Sequence, residues 1–296
     1  MRKVLMIVFA ALALAGCDKI MTEENGENGD DPVPEIVGKT KKFTFNLKGD
    51  FSATTFSRGS LQADGKSLTD LWVFDYVDGK CVQQLHQTAE DADWGKPKMS
   101  LSMGEHSIYF VASRGDKPVV DTDNHQITWS AVKDTFWKKY DVDVKSTSNG
   151  NRSVTLDRVV TKFKATIDDE IIKGCKQISI IPAVWYYGID YTDGTSTAND
   201  NKPITIDIPS NYIGTKGTLS VNAFSISGPK EWSTDMEIKA TDENSEALGD
   251  VNIKNVPLLR NRSTEYSGNL FTTAEQDDIS LSLDWDDPVI GTWLKQ

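Results

Sequence analysis

From Lys42 onward the chain alternates. Phe43, Phe45 and Leu47 are interleaved with Lys42, Thr44 and Asn46. Met99, Leu101 and Met103 alternate with Ser100 and Ser102, and Ile204, Ile206 and Ile208 with Thr205 and Asp207. Ile279, Leu281, Leu283 and Trp285 repeat the pattern near the end. A period of two places alternate side chains on one face of a strand. Two runs, LWVFDYV at 71–77 and SIYFVAS at 107–113, are apolar in both phases and predict strands covered on both faces, in the middle of a sandwich. Turn signals follow at DG (78), NG (149) and DG (193). Helical spacing is confined to 133–140 and 168–173, where short helical turns are expected. The class is all-β.

Residues before Lys39 follow other rules. Arg2 and Lys3 precede a wholly apolar run from Val4 to Leu14, and then come Ala15, Gly16 and Cys17. That is the plan of a secretory signal peptide, and the apolar run falls short of the ~20 residues a membrane-spanning helix needs. Leu14, Ala15, Gly16 and Cys17 resemble the bacterial lipobox. The resemblance implies that Cys17 is acylated and becomes the first residue of the mature chain. More than one acyl chain, each buried CH₂ contributing ~0.8 kcal/mol, makes such an attachment stable. Residues 18–37 are acidic and rich in Gly, Asn and Pro, the composition of a flexible tether. The expected division is therefore a signal peptide at 1–16, a lipidated tether at 17–38, and two β-sandwich domains at 39–156 and 157–296.

Charge narrows the partners. With 44 acidic against 32 basic residues and a net charge of -12, the chain lacks the clustered Lys and Arg that nucleic acid requires. Cys81 and Cys175 lie far apart without metal or redox spacing, and both a bridge formed after export and two buried unpaired thiols are open. His86, His106 and His125 are isolated from one another and from Cys, so no metal site and no cofactor is expected. DTDN at 121–124 lacks the later positions of a calcium loop and reads as a solvated turn. Asp190 and Asp193, in GIDYTDG, are accounted for by the turn they precede. No GxSxG elbow, GxGxxG turn or P-loop occurs, and the chain reads as a non-enzyme. The aromatic cluster Trp185, Tyr186 and Tyr187 is a candidate glycan contact, although Trp72, Trp285 and Trp293 sit where a sandwich core is filled with large rings.

Several segments, in order, resemble the fimbrillin-like proteins, the type V pilus subunits and related surface lipoproteins of anaerobic gut and oral bacteria. In VPLLRNRSTEYSGNLFT (256–272), Arg260, Asn261, Thr264, Tyr266 and Gly268 occupy the places of the family's C-terminal strand motif. LDRVVTKFKATI (156–167) is similar to the strand that opens the family's second domain, and the lipobox, DLWVFDY and GEHSIYFVA fit as well. The resemblance implies two tandem transthyretin-like β-sandwiches. It also implies outer-membrane delivery as a lipoprotein, although Asp18 after the cysteine favours inner-membrane retention in some bacteria. In that family a protease cuts after an arginine in the first domain, removing an N-terminal strand, and a neighbouring subunit's strand fills the groove. Arg58 is placed for such a cut. The partners so implied are outer-membrane lipid through Cys17, other pilus subunits, and host or bacterial surface ligands. Only eleven residues follow Trp285, with Pro288 among them, which leaves little for a long donor strand, so either residues 278–293 themselves donate or the protein is an anchor, a tip or a non-polymerising relative. The alternative function is a non-polymerising, glycan-binding surface lipoprotein.

Overall fold

A computed structural model describes residues 39–49, 68–228, 231–272 and 286–292. Cys17, the tether, Arg58, the alternating segment 279–285 and Trp293 lie outside the described residues. The first nine strands are β1 (Lys41–Gly49), β2 (Asp70–Val77), β3 (Lys80–Thr88), β4 (Lys98–Leu101), β5 (Gly104–Ser113), β6 (Val119–Asp121), β7 (Gln126–Thr128), β8 (Thr135–Val144) and β9 (Asn151–Arg158). They are followed by β10 (Val160–Ile167), β11 (Gln177–Pro182), β12 (Trp185–Asp190), β13 (Ser196–Asp200), β14 (Ile204–Asp207), β15 (Leu219–Ile226), β16 (Trp232–Thr241), β17 (Ala247–Leu258), β18 (Arg262–Gly268) and β19 (Asp286–Thr292). A 3₁₀ turn at Ser210–Tyr212 is the sole helical element among the described residues. The fold is all-β, as the alternation predicts, and is built of two packed sandwiches.

Seven strands form the first sandwich in the order β3-β2-β5-β8-β9-β1-β4. The sheet folds over at β9, whose Asn151–Leu156 pair in parallel with β1 while Asp157 and Arg158 pair with β8. Phe43 and Phe45 of β1 are buried in the core of this sandwich, where Phe45 meets Phe110 of β5 edge-on at 5.3 Å. The NG signal has a steric reason. Thr44 N donates to Gly150 O at 2.7 Å, and a Cβ on Gly150 would collide with the Lys42 carbonyl oxygen. Gly150→Ala should therefore destabilise the protein by about 1–3 kcal/mol, the usual cost of overpacking, read as a lower urea midpoint at unchanged slope.

The second sandwich packs β15-β10-β18-β19 against β14-β11-β16-β17 around Phe163, Ile178, Ile180, Val221, Ile238 and Val256. A small third sheet, β13-β12-β7-β6, takes two strands from each half of the chain. It borders a further core containing Trp72, Phe74, Tyr76, Tyr109 and Val111 on one side and Ile189, Tyr191 and Ile226 on the other. Tyr191 is fully buried there, stacked on Phe74 at 4.0 Å, its hydroxyl 2.9 Å from that of Tyr76.

Two segments expected to be helical are not. Residues 135–144 form β8, and 168–173 are an irregular connection. In β8, Phe136 and Tyr140 have helical spacing because Lys138 breaks the apolar phase of the strand. Its ammonium lies 2.8 Å from Asp157 on the next strand. The C-terminal end also differs, since β19 includes Pro288. Opposite β18, Arg262 and Thr264 pair with Asp286 and Val289, so β19 carries an extra residue in the interval holding the proline. A bulge makes no demand on the N–H that proline lacks.

Candidate functional site

The family-motif residues fasten strands together. Asn261, at a left-handed φ of 57°, turns β17 into β18, and its N–H donates to Val160 O at 2.8 Å. Its Oδ1 accepts from Arg158 Nη1 at 3.2 Å, while Arg260 Nε donates to Arg158 O at 3.2 Å and the Arg260 guanidinium lies 5.9 Å from the Trp137 ring centroid. Burial pulls the Arg260 pKa down, opposed by the Asp157 charge. Thr264 Oγ1 donates to Pro257 O at 2.6 Å, and Tyr266 packs near Phe163 at 6.0 Å. Gly268 O accepts from Asp168 N at 2.9 Å. The motif thus holds β18 parallel to β10, next to the point where the chain passes from one sandwich to the other. Arg158 adds an ion pair to Asp134 at 2.9 Å, with both side chains under one-tenth exposed.

Just beyond β18 the Asp169 carboxylate accepts from the backbone N–H groups of Leu270 (3.0 Å), Phe271 (2.7 Å) and Thr272 (2.8 Å), and from the Thr272 hydroxyl. This fixes where the C-terminal segment leaves the sandwich. Hydrogen bonds to a charged group are worth about 1.5–3 kcal/mol. Asp169→Asn should cost about that much and raise amide exchange at residues 270–272 ahead of the rest of β18.

The aromatic cluster is split by the alternation of β12. Trp185 and Tyr187 face a cleft of about 790 Å³, whereas Tyr186 turns away and meets Trp232 edge-on at 5.1 Å. Trp185 is 5% exposed and its Nε1 donates to Phe224 O at 2.9 Å, so it is a core residue with an edge on the cleft and not an open stacking platform. The other walls are residues 129–133, Asp200, residues 202–206, Ser220 and residues 222–224. Trp129, Lys133, Asn222 and Phe224 were not legible as site residues. Phe224 did carry a signal, an aromatic in the outward phase of a strand whose Leu219, Val221 and Ala223 point inward.

Other candidate groups are engaged locally. Asp121 accepts from Asp123 N, Asn124 N and Asn124 Nδ2, which hold its carboxyl below the usual range. Asp190 and Asp193 each accept a backbone N–H and a hydroxyl from the threonine two residues on. His86 stacks on Trp72 at 5.1 Å and lies 2.8 Å from Asp70, and His125 meets Tyr191 edge-on. His106 Nδ1 lies 2.7 Å from Asp75, whose carboxyl is pushed up by burial against the opposing pull of that histidine. No disulfide joins Cys81 to Cys175, which lie one beside the junction core and one inside the second sandwich, and burial pushes the Cys175 thiol up. Among the described residues no three His, Cys, Asp or Glu side chains converge as a metal site, and no helix is long and apolar enough to cross a membrane.

Fold and cleft define a tandem β-sandwich protein whose halves are joined by a shared sheet. The chain belongs to DUF6562, a family of unknown function, whose match spans residues 117–295 and so includes the shared sheet and the whole cleft. No curated protein matches it. Among solved structures, it is similar to a candidate adhesin from Bacteroides ovatus at 12% identity and a TM-score of 0.49, over 77% of this chain and 88% of that one. A fimbrial assembly protein from Parabacteroides distasonis gives 9% and 0.44, over 78% and 92%. The fimbrial anchor protein Mfa2 from Porphyromonas gingivalis gives 10% and 0.42, over 72% and 82%.

Proposed function

We propose that the chain is a non-catalytic lipoprotein of the cell outer membrane, held by acylated Cys17, which serves as a fimbrial or adhesive surface subunit and joins its neighbours by β-strand addition. The observation that carries this reading is β19. It closes the edge of the second sandwich, and among the described residues its main chain pairs only with β18. A strand held at an edge in this way can be exchanged for the same strand of a neighbouring copy, which satisfies identical backbone groups. At the other end, β1 sits between β9 and β4, and Arg58 falls in the connection from β1 to β2. A cut after Arg58 would carry away β1 together with Cys17 and open a groove for an incoming strand. The acidic charge balance agrees with a surface partner and not with nucleic acid.

The test is made on the full-length chain in its native host. Protease-accessible protein on intact cells, migrating as assemblies that resist cold detergent and disappear when residues 286–292 are deleted, is the expected result. Monomeric protein that is unchanged by the deletion overturns strand addition, and protein retained in the cytoplasm overturns the surface role.

A further inference from the structure

We propose that the cleft bounded by β12, β14 and β15 binds a neutral oligosaccharide, whether or not the chain polymerises. At about 790 Å³ the cleft lies within the roughly 300–1,000 Å³ of small-molecule sites, and like many of them it opens where two packed units meet. Its lining combines apolar rings with polar groups. Tyr187 and Phe224 are half-buried on its walls, while Trp129 and Trp185, 2% and 5% exposed, contribute edges. A sugar ring offers a C–H face to such rings and hydroxyls around its rim. Asn222 is exposed at the cleft wall and makes no side-chain hydrogen bond with the described residues, so both its donor and its acceptor can serve hydroxyls.

Charge selects the class of ligand. Lys133 is neutralised by both carboxylate oxygens of Asp116, at 2.8 and 2.9 Å. Lys202 is paired with Asp200 at 2.9 Å and stands 6.0 Å above the Tyr187 ring. The cleft therefore presents balanced charge on a molecule of net charge -12, which disfavours an acidic polysaccharide.

The rival occupant is an extended peptide pairing with the free edge of β15. The structure gives it little room. Trp185 Nε1 holds Phe224 O, and Ser225 Oγ accepts from Tyr186 N at 3.0 Å, so β12 already covers the β15 edge from Phe224 onward. What remains beside the cleft is Ser220–Ala223, shorter than the ~5–6 residues of a typical strand.

The test uses purified full-length protein lacking only its signal peptide and acyl group, titrated calorimetrically with neutral gluco-, galacto- and manno-oligosaccharides, with a sialylated oligosaccharide and with a peptide of residues 286–292. At least one neutral oligosaccharide should bind with a change in tryptophan emission. Tyr187→Ala and Asn222→Ala should each weaken that binding about tenfold at unchanged Tm, while Lys145→Ala, far from the cleft, should leave it intact. The proposal is overturned if no neutral oligosaccharide binds, if binding survives the Tyr187→Ala/Asn222→Ala double variant, or if those variants weaken binding of the peptide or the sialylated sugar instead.

Discussion

Phe43→Ala combined with Phe45→Ala should unfold the first sandwich under conditions where the unaltered chain is folded. Both rings are at most 1% exposed, and β1 places them between β9 and β4, with Phe45 facing Phe110. Truncating a buried phenylalanine costs about 3–5 kcal/mol. The two rings touch, with centroids 6.0 Å apart, so their costs do not simply add, but the pair is comparable with the about 5–15 kcal/mol that stabilises a whole domain. The consequence reaches the proposed processing step. A cut after Arg58 that releases β1 removes both rings and the parallel ladder to β9, so a processed chain can persist only when another strand fills the gap. Denaturant melts of cleaved protein should show the first sandwich lost alone and restored by a peptide of residues 41–49. An unchanged melt after β1 has been removed would contradict this.

Tyr191→Ala should cost about 3–5 kcal/mol as well, for a different reason. Tyr191 follows β12 and is the one fully buried tyrosine among the described core residues. Its ring lies flat on Phe74 of β2, and its carbonyl accepts from Trp137 Nε1 at 2.7 Å. Removing the ring opens a cavity where the two halves of the chain meet. Tyr191→Phe keeps the stacking and gives up the contact with the Tyr76 hydroxyl, worth about 1 kcal/mol. Calorimetry should show one cooperative transition in the unaltered protein and in Tyr191→Phe, and two separated transitions in Tyr191→Ala.

That junction also explains which parts of the fold could be read in advance. The runs 71–77 and 107–113 are apolar in both phases because each strand serves two cores. Leu71, Val73, Ile108 and Phe110 face the first sandwich, and Trp72, Phe74, Tyr109 and Val111 face the junction. The pattern shows that something covers the second face, but not that the cover is Tyr191 and Ile226, which lie scores of residues away. β8 was obscured because Lys138 interrupts its phase for an ion pair with Asp157, a partner fixed only by strand pairing. β19 was obscured because a proline is compatible with an edge strand only where a bulge receives it, and a bulge is a property of two strands.

The candidate site was legible in part. WYYG marks a strand of the cleft wall, but period two sends Tyr186 to the opposite side, and the hydrogen bond to Phe224 O makes Trp185 part of the core. The motif at 260–268 marks a junction that holds strands together, with Asn261 and Arg260 gripping the end of β9 and the start of β10. Asn222 and Lys133 reach the cleft only through the packing of the second sandwich beside residues 129–133, which no local pattern encodes.

Membrane attachment through Cys17 can be read by metabolic labelling with an alkyne analogue of palmitate, followed by peptide mass analysis of the newly exported chain. The expected result is label on a peptide beginning at Cys17, and no label in Cys17→Ser, which should leave the membrane fraction. An unlabelled chain, or a Cys17→Ser chain that remains with the membrane as fully as the unaltered protein, would contradict it.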